Sequence, residues 1–269
     1  MEMIIEILKL LLELFAIIII SKKLLVPIIR KLGESLKLKA HTIGVISGVA
    51  TSIPEFLTVA FSTSSGLISA GIYNILSSNL INIIQYLLSV VINKNIKLLK
   101  NKSILISIIL SIITIIIPII IIYFKIERNI ILIPIFIILF YIFNKINTNI
   151  HKKYEINLEY KSREGNVLKY IIYIIFIGII ILYFIGDLLS NTLEVLCHTF
   201  NISEILIGFI LGMATSIPEF ITFIESQKFY SQKDNLLGLI EASNNLVVSN
   251  TLNLYVIGAI SIVIFQILE

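Results

Sequence analysis

Long apolar runs alternate with short polar loops along the chain, and this pattern predicts an all-α polytopic membrane protein. The segment 103–124, for example, contains no charged residue, and about 20 such residues are enough for a helix to cross a bilayer. Eight runs of this kind are expected to be transmembrane helices. The predicted spans are 3–29, 41–62, 66–92, 103–124, 129–143, 168–197, 202–226 and 236–268.

Basic residues are concentrated in every second loop. The loops after spans 1, 3, 5 and 7 are rich in lysine and arginine, whereas the opposite side has only Lys125 and Arg128. Basic loops stay in the cytoplasm, so this asymmetry predicts a cell-membrane protein with both termini outside the cytoplasm. It also accounts for the formal net charge of +4 without a nucleic-acid partner.

One motif occurs twice, in the middle of spans 2 and 7. The sequence Ala-Thr-Ser-Ile-Pro-Glu-Phe is identical at 50–56 and 214–220, and it places a proline, two hydroxyls and a carboxylate inside an apolar run. In the predicted topology spans 2 and 7 cross the membrane in opposite directions. Repeats of opposite orientation are typical of secondary transporters.

The repeat also predicts how the chain is divided. We expect a first transmembrane repeat over 1–143, a cytoplasmic polar loop over 144–167 and a second transmembrane repeat over 168–269.

The motif residues suit a hard cation. Pro54 and Pro218 have no N–H, so the carbonyls of Ala50 and Ala214 lose their helical partners and are expected to be available as ligands. Hydroxyl and carboxylate oxygens add to these, and such oxygens favour Ca²⁺, which takes about 6–8 of them. A simple proline kink with a protonated glutamate is the alternative, and the recurrence of the motif disfavours it. The predicted ligands in the motifs are Ala50, Thr51, Ser52, Glu55, Ala214, Thr215, Ser216 and Glu219.

Spans 3 and 8 supply a second layer of polar residues, which lie four residues apart and so share one helix face. Ser78, Asn82, Ser249 and Asn253 are predicted to face the cation. A second set of asparagines is interpreted as structural, because asparagine side chains also join membrane helices by hydrogen bonds. These are Asn74, Asn79, Asn245 and Asn250.

On these residues the chain resembles the sodium/calcium exchanger family. Residues 48–82 are similar to the first α-repeat of that family, and residues 212–253 are similar to the second. The resemblance implies that Glu55 and Glu219 are shared ligands for Ca²⁺ and Na⁺, with alternating access by sliding of spans 1 and 6. The family commonly has ten spans, so an arrangement of five plus three is expected to lack the last two. A homo-oligomer or lipid would then complete the core.

We therefore predict a secondary active antiporter that exchanges Ca²⁺ for Na⁺ at a midplane site, with no resident cofactor and no enzymatic activity. Family members often carry aspartate where this chain has Asn82 and Asn253, which leaves two formal negative charges. One Ca²⁺ or two Na⁺ would neutralise them. Ca²⁺/H⁺ exchange, a passive channel and a truncated, non-transporting cation-binding protein remain as alternatives.

Overall fold

The structure is a computed structural model that describes residues 2–20, 23–24, 26–36, 38–151, 167–177, 182–231 and 234–268. These residues are nearly all helical and form no strand, which confirms an all-α protein. The helices are α1 (Glu2–Ile20), α2 (Val26–Ser35), α3 (Ala40–Thr51), α4 (Ile53–Ser64), α5 (Ile68–Ile92), α6 (Lys102–Phe124), α7 (Leu132–His151), α8 (Val167–Ile175), α9 (Leu182–Glu194), α10 (Glu204–Thr215), α11 (Ile217–Tyr230), α12 (Asn235–Thr251) and α13 (Gly258–Leu268). A π-helical segment, Leu252–Ile257, joins α12 to α13.

Six helical segments in the described part of the chain are long and apolar enough to cross a membrane. They correspond to predicted spans 2, 3, 4, 5, 7 and 8. Predicted spans 1 and 6 include residues 21, 22, 25 and 178–181, which lie outside the described residues. The total of eight spans, divided as five plus three, therefore stays a prediction. The six segments are Ala40–Ser64, Ile68–Ile92, Lys102–Phe124, Leu132–Ile150, Glu204–Tyr230 and Asn235–Leu268.

The fifth predicted span is longer in the structure than in the sequence-based prediction. Helix α7 continues to His151 instead of ending at residue 143, so it includes the first residues of the expected polar loop. The polar C-terminal part of α7 contacts α12, because the Asn147 amide donates a hydrogen bond to Asn244 Oδ1 (2.9 Å). Most of the expected loop, residues 152–166, lies outside the described residues.

Each motif-bearing span consists of two half-helices, as the sequence predicts. The break between α3 and α4 falls at Ser52, and that between α10 and α11 falls at Ser216. Pro54 and Pro218 then lie in the first turn of the second half-helix. A missing N–H is tolerated at this position because the first amides of a helix have no intrahelical acceptor.

The two halves of the chain interlock crosswise. Helix α3 of the first half packs along α12 of the second, and α10 of the second half packs along α5 of the first. Each contact includes two glycines four residues apart, Gly44 and Gly48 on α3 and Gly208 and Gly212 on α10. Glycines allow two helix backbones to approach closely. A Cβ atom added at Gly48 would lie 3.0 Å from the Asn245 carbonyl oxygen, and one added at Gly208 would lie 2.8 Å from the Tyr73 Cβ.

The central helices α5 and α12 cross in opposite directions. Asn79 contacts Asn253, just after the end of α12, whereas Asn82, further along α5, contacts Ser249, which lies earlier, on α12 itself. Apolar side chains surround this crossing: the Tyr86 ring of α5 meets the Phe223 ring of α11 edge to face at 5.7 Å. Both rings belong to a cluster of buried apolar side chains contributed by α5, α6, α11 and α12.

Candidate cation site

The two helix breaks and the crossing of α5 and α12 bring the predicted ligands into one buried region. Every predicted side-chain ligand has an exposed fraction of at most 3%. Ala50 is also buried, whereas Ala214 is half-buried. Among the residues whose burial is described, the buried carboxylates are Glu55, Glu219 and Glu241, and no lysine or arginine is buried. The buried side-chain ligands are Thr51, Ser52, Glu55, Ser78, Asn82, Thr215, Ser216, Glu219, Ser249 and Asn253.

The carboxylate of Glu219 is joined to the first motif through Ser249. The Ser249 hydroxyl donates to Glu219 Oε1 (3.0 Å), and the Ser52 hydroxyl donates to Ser249 Oγ (3.0 Å). The Asn82 amide also reaches Ser249 Oγ, at 3.4 Å. Glu219 Oε2 accepts no hydrogen bond from the described residues, so one oxygen of this carboxylate is available for a cation.

The carboxylate of Glu55 has less support. It is fully buried, and neither of its oxygens accepts a hydrogen bond within the described part of the chain. Thr215 and Glu219 of the second motif are its neighbours, but the Thr215 hydroxyl donates to the Leu211 carbonyl (3.0 Å). Two carboxylates in one dry region repel each other and favour a bound cation or proton.

The two repeats do not make the same contacts. Ser78 stands in the first repeat where Ser249 stands in the second, yet its hydroxyl donates to Asn74 Oδ1 (3.2 Å) and to the Gly212 carbonyl (3.4 Å). The Ser216 hydroxyl donates to Gly212 (2.8 Å) and reaches the Ser78 carbonyl at 3.5 Å. Ser78 and Ser216 thus meet where α10 packs on α5.

Four asparagines tie α5 to α12 and to the π-helical segment that follows α12. Asn79 and Asn250 each donate to the other's backbone carbonyl (3.1 Å in both cases), which supports the structural role predicted for them. Asn82 donates to Asn250 Oδ1 (3.0 Å), and Asn253 donates to Asn79 Oδ1 (3.3 Å). The Oδ1 atoms of Asn82 and Asn253 accept no hydrogen bond from described residues. Their geometry is compatible with the predicted role of cation ligands.

The backbone amides at the two breaks donate to carbonyls one turn earlier. The Ser52 amide donates to Gly48 and the Ser216 amide to Gly212, at 3.2 Å in both cases. Neither amide makes a hydrogen bond of good geometry to the Ala50 or Ala214 carbonyl. The role of these two carbonyls as ligands stays a prediction.

Two polar contacts in this region were not predicted. The Asn74 amide donates to the Thr58 hydroxyl at 2.7 Å, and the Ser226 hydroxyl donates to the fully buried carboxylate of Glu241. Thr58 has a counterpart, Thr222, at the spacing of the two motifs. A comparison of the two repeats that extended beyond the identical motif would have identified Thr58 and Thr222 as equivalent residues.

The described residues thus define a polytopic helical membrane protein with a buried carboxylate next to each of two helix breaks. The sequence model of the sodium/calcium exchanger protein family matches residues 7–147 and 170–268. This match covers most of the chain, and the chain belongs to the sodium/calcium exchanger family, as the resemblance implies. No curated protein and no solved structure matches the chain significantly. Membership indicates cation exchange in general, and members of the family are transporters rather than enzymes.

Proposed function

We propose that this protein is a secondary antiporter that exchanges Ca²⁺ for Na⁺ at one shared site. The observation that carries the proposal is the pair Glu55 and Glu219, fully buried with three carboxylate oxygens that accept no hydrogen bond from described residues. Hydroxyl and amide oxygens surround the pair, and hard cations prefer such ligands. One Ca²⁺ or two Na⁺ would balance the two negative charges.

Charge balance also supplies the coupling between the two ions. With the site empty, two carboxylates would have to move through a dry core uncompensated, which is unfavourable at membrane depth. With Ca²⁺ or Na⁺ bound, the site is neutral and the change between outward-facing and inward-facing states becomes accessible. Binding of either ion would therefore permit the change between the outward-facing and inward-facing states. After one ion has been released on one side, the other ion can bind there and be carried back.

An inverted repeat is part of the proposal. Opposite directions of α5 and α12 at their crossing support it, as do the crosswise contacts of α3 with α12 and of α10 with α5. Together with the basic loops, this arrangement would place both termini outside the cytoplasm. A site held between such repeats can be exposed to either side of the membrane in turn.

Proton coupling is the second candidate. A proton on Glu55 would also satisfy a carboxylate that accepts no hydrogen bond in the described part of the chain. Ca²⁺ uptake that needs a pH gradient and is indifferent to Na⁺ would select this alternative.

Neutralisation of either carboxylate tests the proposal. Glu55→Gln and Glu219→Gln should each abolish Ca²⁺ exchange in proteoliposomes, because one negative charge can no longer balance Ca²⁺. Both variants should still fold, since glutamine has nearly the same volume and removes a buried charge. Glu225→Gln is the matched control, because Glu225 lies on the same helix as Glu219 but is exposed. Wild-type exchange in either buried variant would contradict the assignment.

A further inference from the structure

The two repeats place an asparagine at equivalent positions, but the structure gives the two side chains different surroundings. Asn74 is fully engaged: its amide donates to Thr58 (2.7 Å), and its Oδ1 accepts from Ser78 (3.2 Å). Asn245 is just as deeply buried, with an exposed fraction of 0%. Neither Oδ1 nor Nδ2 of Asn245 has a hydrogen-bond partner among the described residues. A buried amide without partners is unfavourable, so this position suits a ligand.

The contacts between α11 and α12 define what lies opposite Asn245. Ser249 contacts Glu219 at one end of this interface, and Ser226 contacts Glu241 at the other. Since the two helices run in opposite directions, Thr222 lies midway on α11 and Asn245 lies midway on α12. The same pairing is realised in the first repeat, where Thr58 and Asn74 are hydrogen-bonded.

Three oxygens of the second repeat therefore belong to residues on the facing sides of α11 and α12. Glu219 Oε2 and Asn245 Oδ1 accept no hydrogen bond from described residues. The Thr222 hydroxyl donates to the Pro218 carbonyl (2.9 Å), so the lone pairs of its oxygen remain available. Glu219 and Thr222 are three residues apart on α11 and so project from the same face. The set has one formal negative charge and two neutral oxygens.

We infer that Glu219, Thr222 and Asn245 form a Na⁺ position present in the second repeat only; the inference rests on the proposed cation function of the site. A monovalent cation balances the single carboxylate, whereas a water molecule would leave its charge uncompensated. Ca²⁺ needs more oxygens and more charge, and it takes the position between Glu55 and Glu219. In the first repeat Asn74 is committed to Thr58 and Ser78, so the equivalent position does not exist.

This arrangement explains how the two ions compete. Na⁺ at Asn245 and Ca²⁺ between the motifs would both be balanced by the charge of Glu219, so binding of one disfavours binding of the other. Asn245 contributes to Na⁺ binding alone. The side chain would therefore set the preference between Na⁺ and Ca²⁺ without being needed for Ca²⁺ itself.

Equilibrium binding of ²²Na⁺ and ⁴⁵Ca²⁺ to the purified full chain in detergent tests the inference. In Asn245→Ala the Na⁺ concentration for half-saturation should rise about tenfold, the equivalent of one lost ligand, while that for Ca²⁺ stays within about twofold. The melting temperature should not fall, since no hydrogen bond from described residues is lost. Asn245→Asp keeps the oxygen and should retain Na⁺ binding.

Asn74→Ala is the matched control in the other repeat. It removes two hydrogen bonds and should lower the melting temperature while leaving the ratio of Na⁺ to Ca²⁺ affinity unchanged. Unaltered Na⁺ binding in Asn245→Ala, or an equal loss of both ions, would overturn the inference and leave the proposed exchange intact. A wild-type protein that binds neither ion would instead contradict the proposed function.

Discussion

Among the residues of the candidate site, Glu55 gives the clearest indication of a functional role. A buried polar group without a hydrogen bond is destabilising, and a buried charge without a partner is far more so. The fold nevertheless holds this carboxylate fully buried, with no acceptor contact in the described part of the chain. We interpret the missing partner as the transported ion, because a residue needed only for packing would be replaced by an apolar one at lower free energy.

Ser249 offers a test at the same scale. Its hydroxyl links Glu219 to Ser52, so Ser249→Ala should leave both without this contact. Hydrogen bonds to charged groups contribute about 1.5–3 kcal/mol, and we expect the Ca²⁺ dissociation constant to rise by roughly tenfold or more. Ser111→Ala is the control, since Ser111 is equally buried on α6 but donates only to the Ser107 carbonyl (3.0 Å). Equal Ca²⁺ binding by wild type and Ser249→Ala would contradict this role.

The sequence predicts which residues form the candidate site better than it predicts which of them contact each other. Thr51, Glu55 and their second-repeat counterparts are evident because a costly motif occurs twice in apolar surroundings. Asn74 and Asn245 are indistinguishable in sequence, and both were interpreted as structural. Of the two, the Asn74 side chain makes hydrogen bonds and the Asn245 side chain makes none with the described residues. Hydrogen-bond partners depend on how helices are offset from one another, and the linear pattern does not contain that offset.

Among the helices, the breaks in the two motif-bearing spans were predictable from the sequence. Which helices pack against each other was not. Proline after two hydroxyl residues ends α3 and α10, whereas Pro118 lies inside α6 without dividing it. The crosswise packing of α3 on α12 and of α10 on α5 joins segments that are distant in sequence. Glycines four residues apart indicate a close helix contact, but they do not identify the partner helix.

The glycine contacts give a prediction about stability. A Cβ atom at Gly208 would lie 2.8 Å from the Tyr73 Cβ and close to the α5 backbone. Overpacking of this kind typically costs about 1–3 kcal/mol, so Gly208→Ala should lower the melting temperature in detergent. Gly258→Ala is the control, because its new Cβ would meet the edge of the Phe136 ring at 3.3 Å, and a side chain moves more readily than backbone. Equal melting temperatures for the two variants would argue against a tight α5–α10 contact.

For the whole molecule, the family and the all-α membrane fold follow from the sequence, and the relation between the halves comes from the structure. Each half contributes one motif, and each motif is completed by the other half: Ser52 reaches Ser249, and Ser216 reaches Ser78. The pair Glu55 and Glu219 takes one carboxylate from each repeat. A shift of one half relative to the other would change the distances between groups of opposite halves, such as Ser52 and Ser249, which suits a site that alternates between two sides.

The most direct test of Ca²⁺/Na⁺ exchange is ⁴⁵Ca²⁺ uptake into proteoliposomes that contain the purified full chain. Vesicles loaded with Na⁺ would be compared with Na⁺-free vesicles, each with and without a pH gradient. If the protein exchanges Ca²⁺ for Na⁺, Ca²⁺ uptake requires internal Na⁺ and is lost in Glu55→Gln. Folded protein that binds Ca²⁺ but gives no uptake under any gradient would contradict exchange of Ca²⁺ for Na⁺.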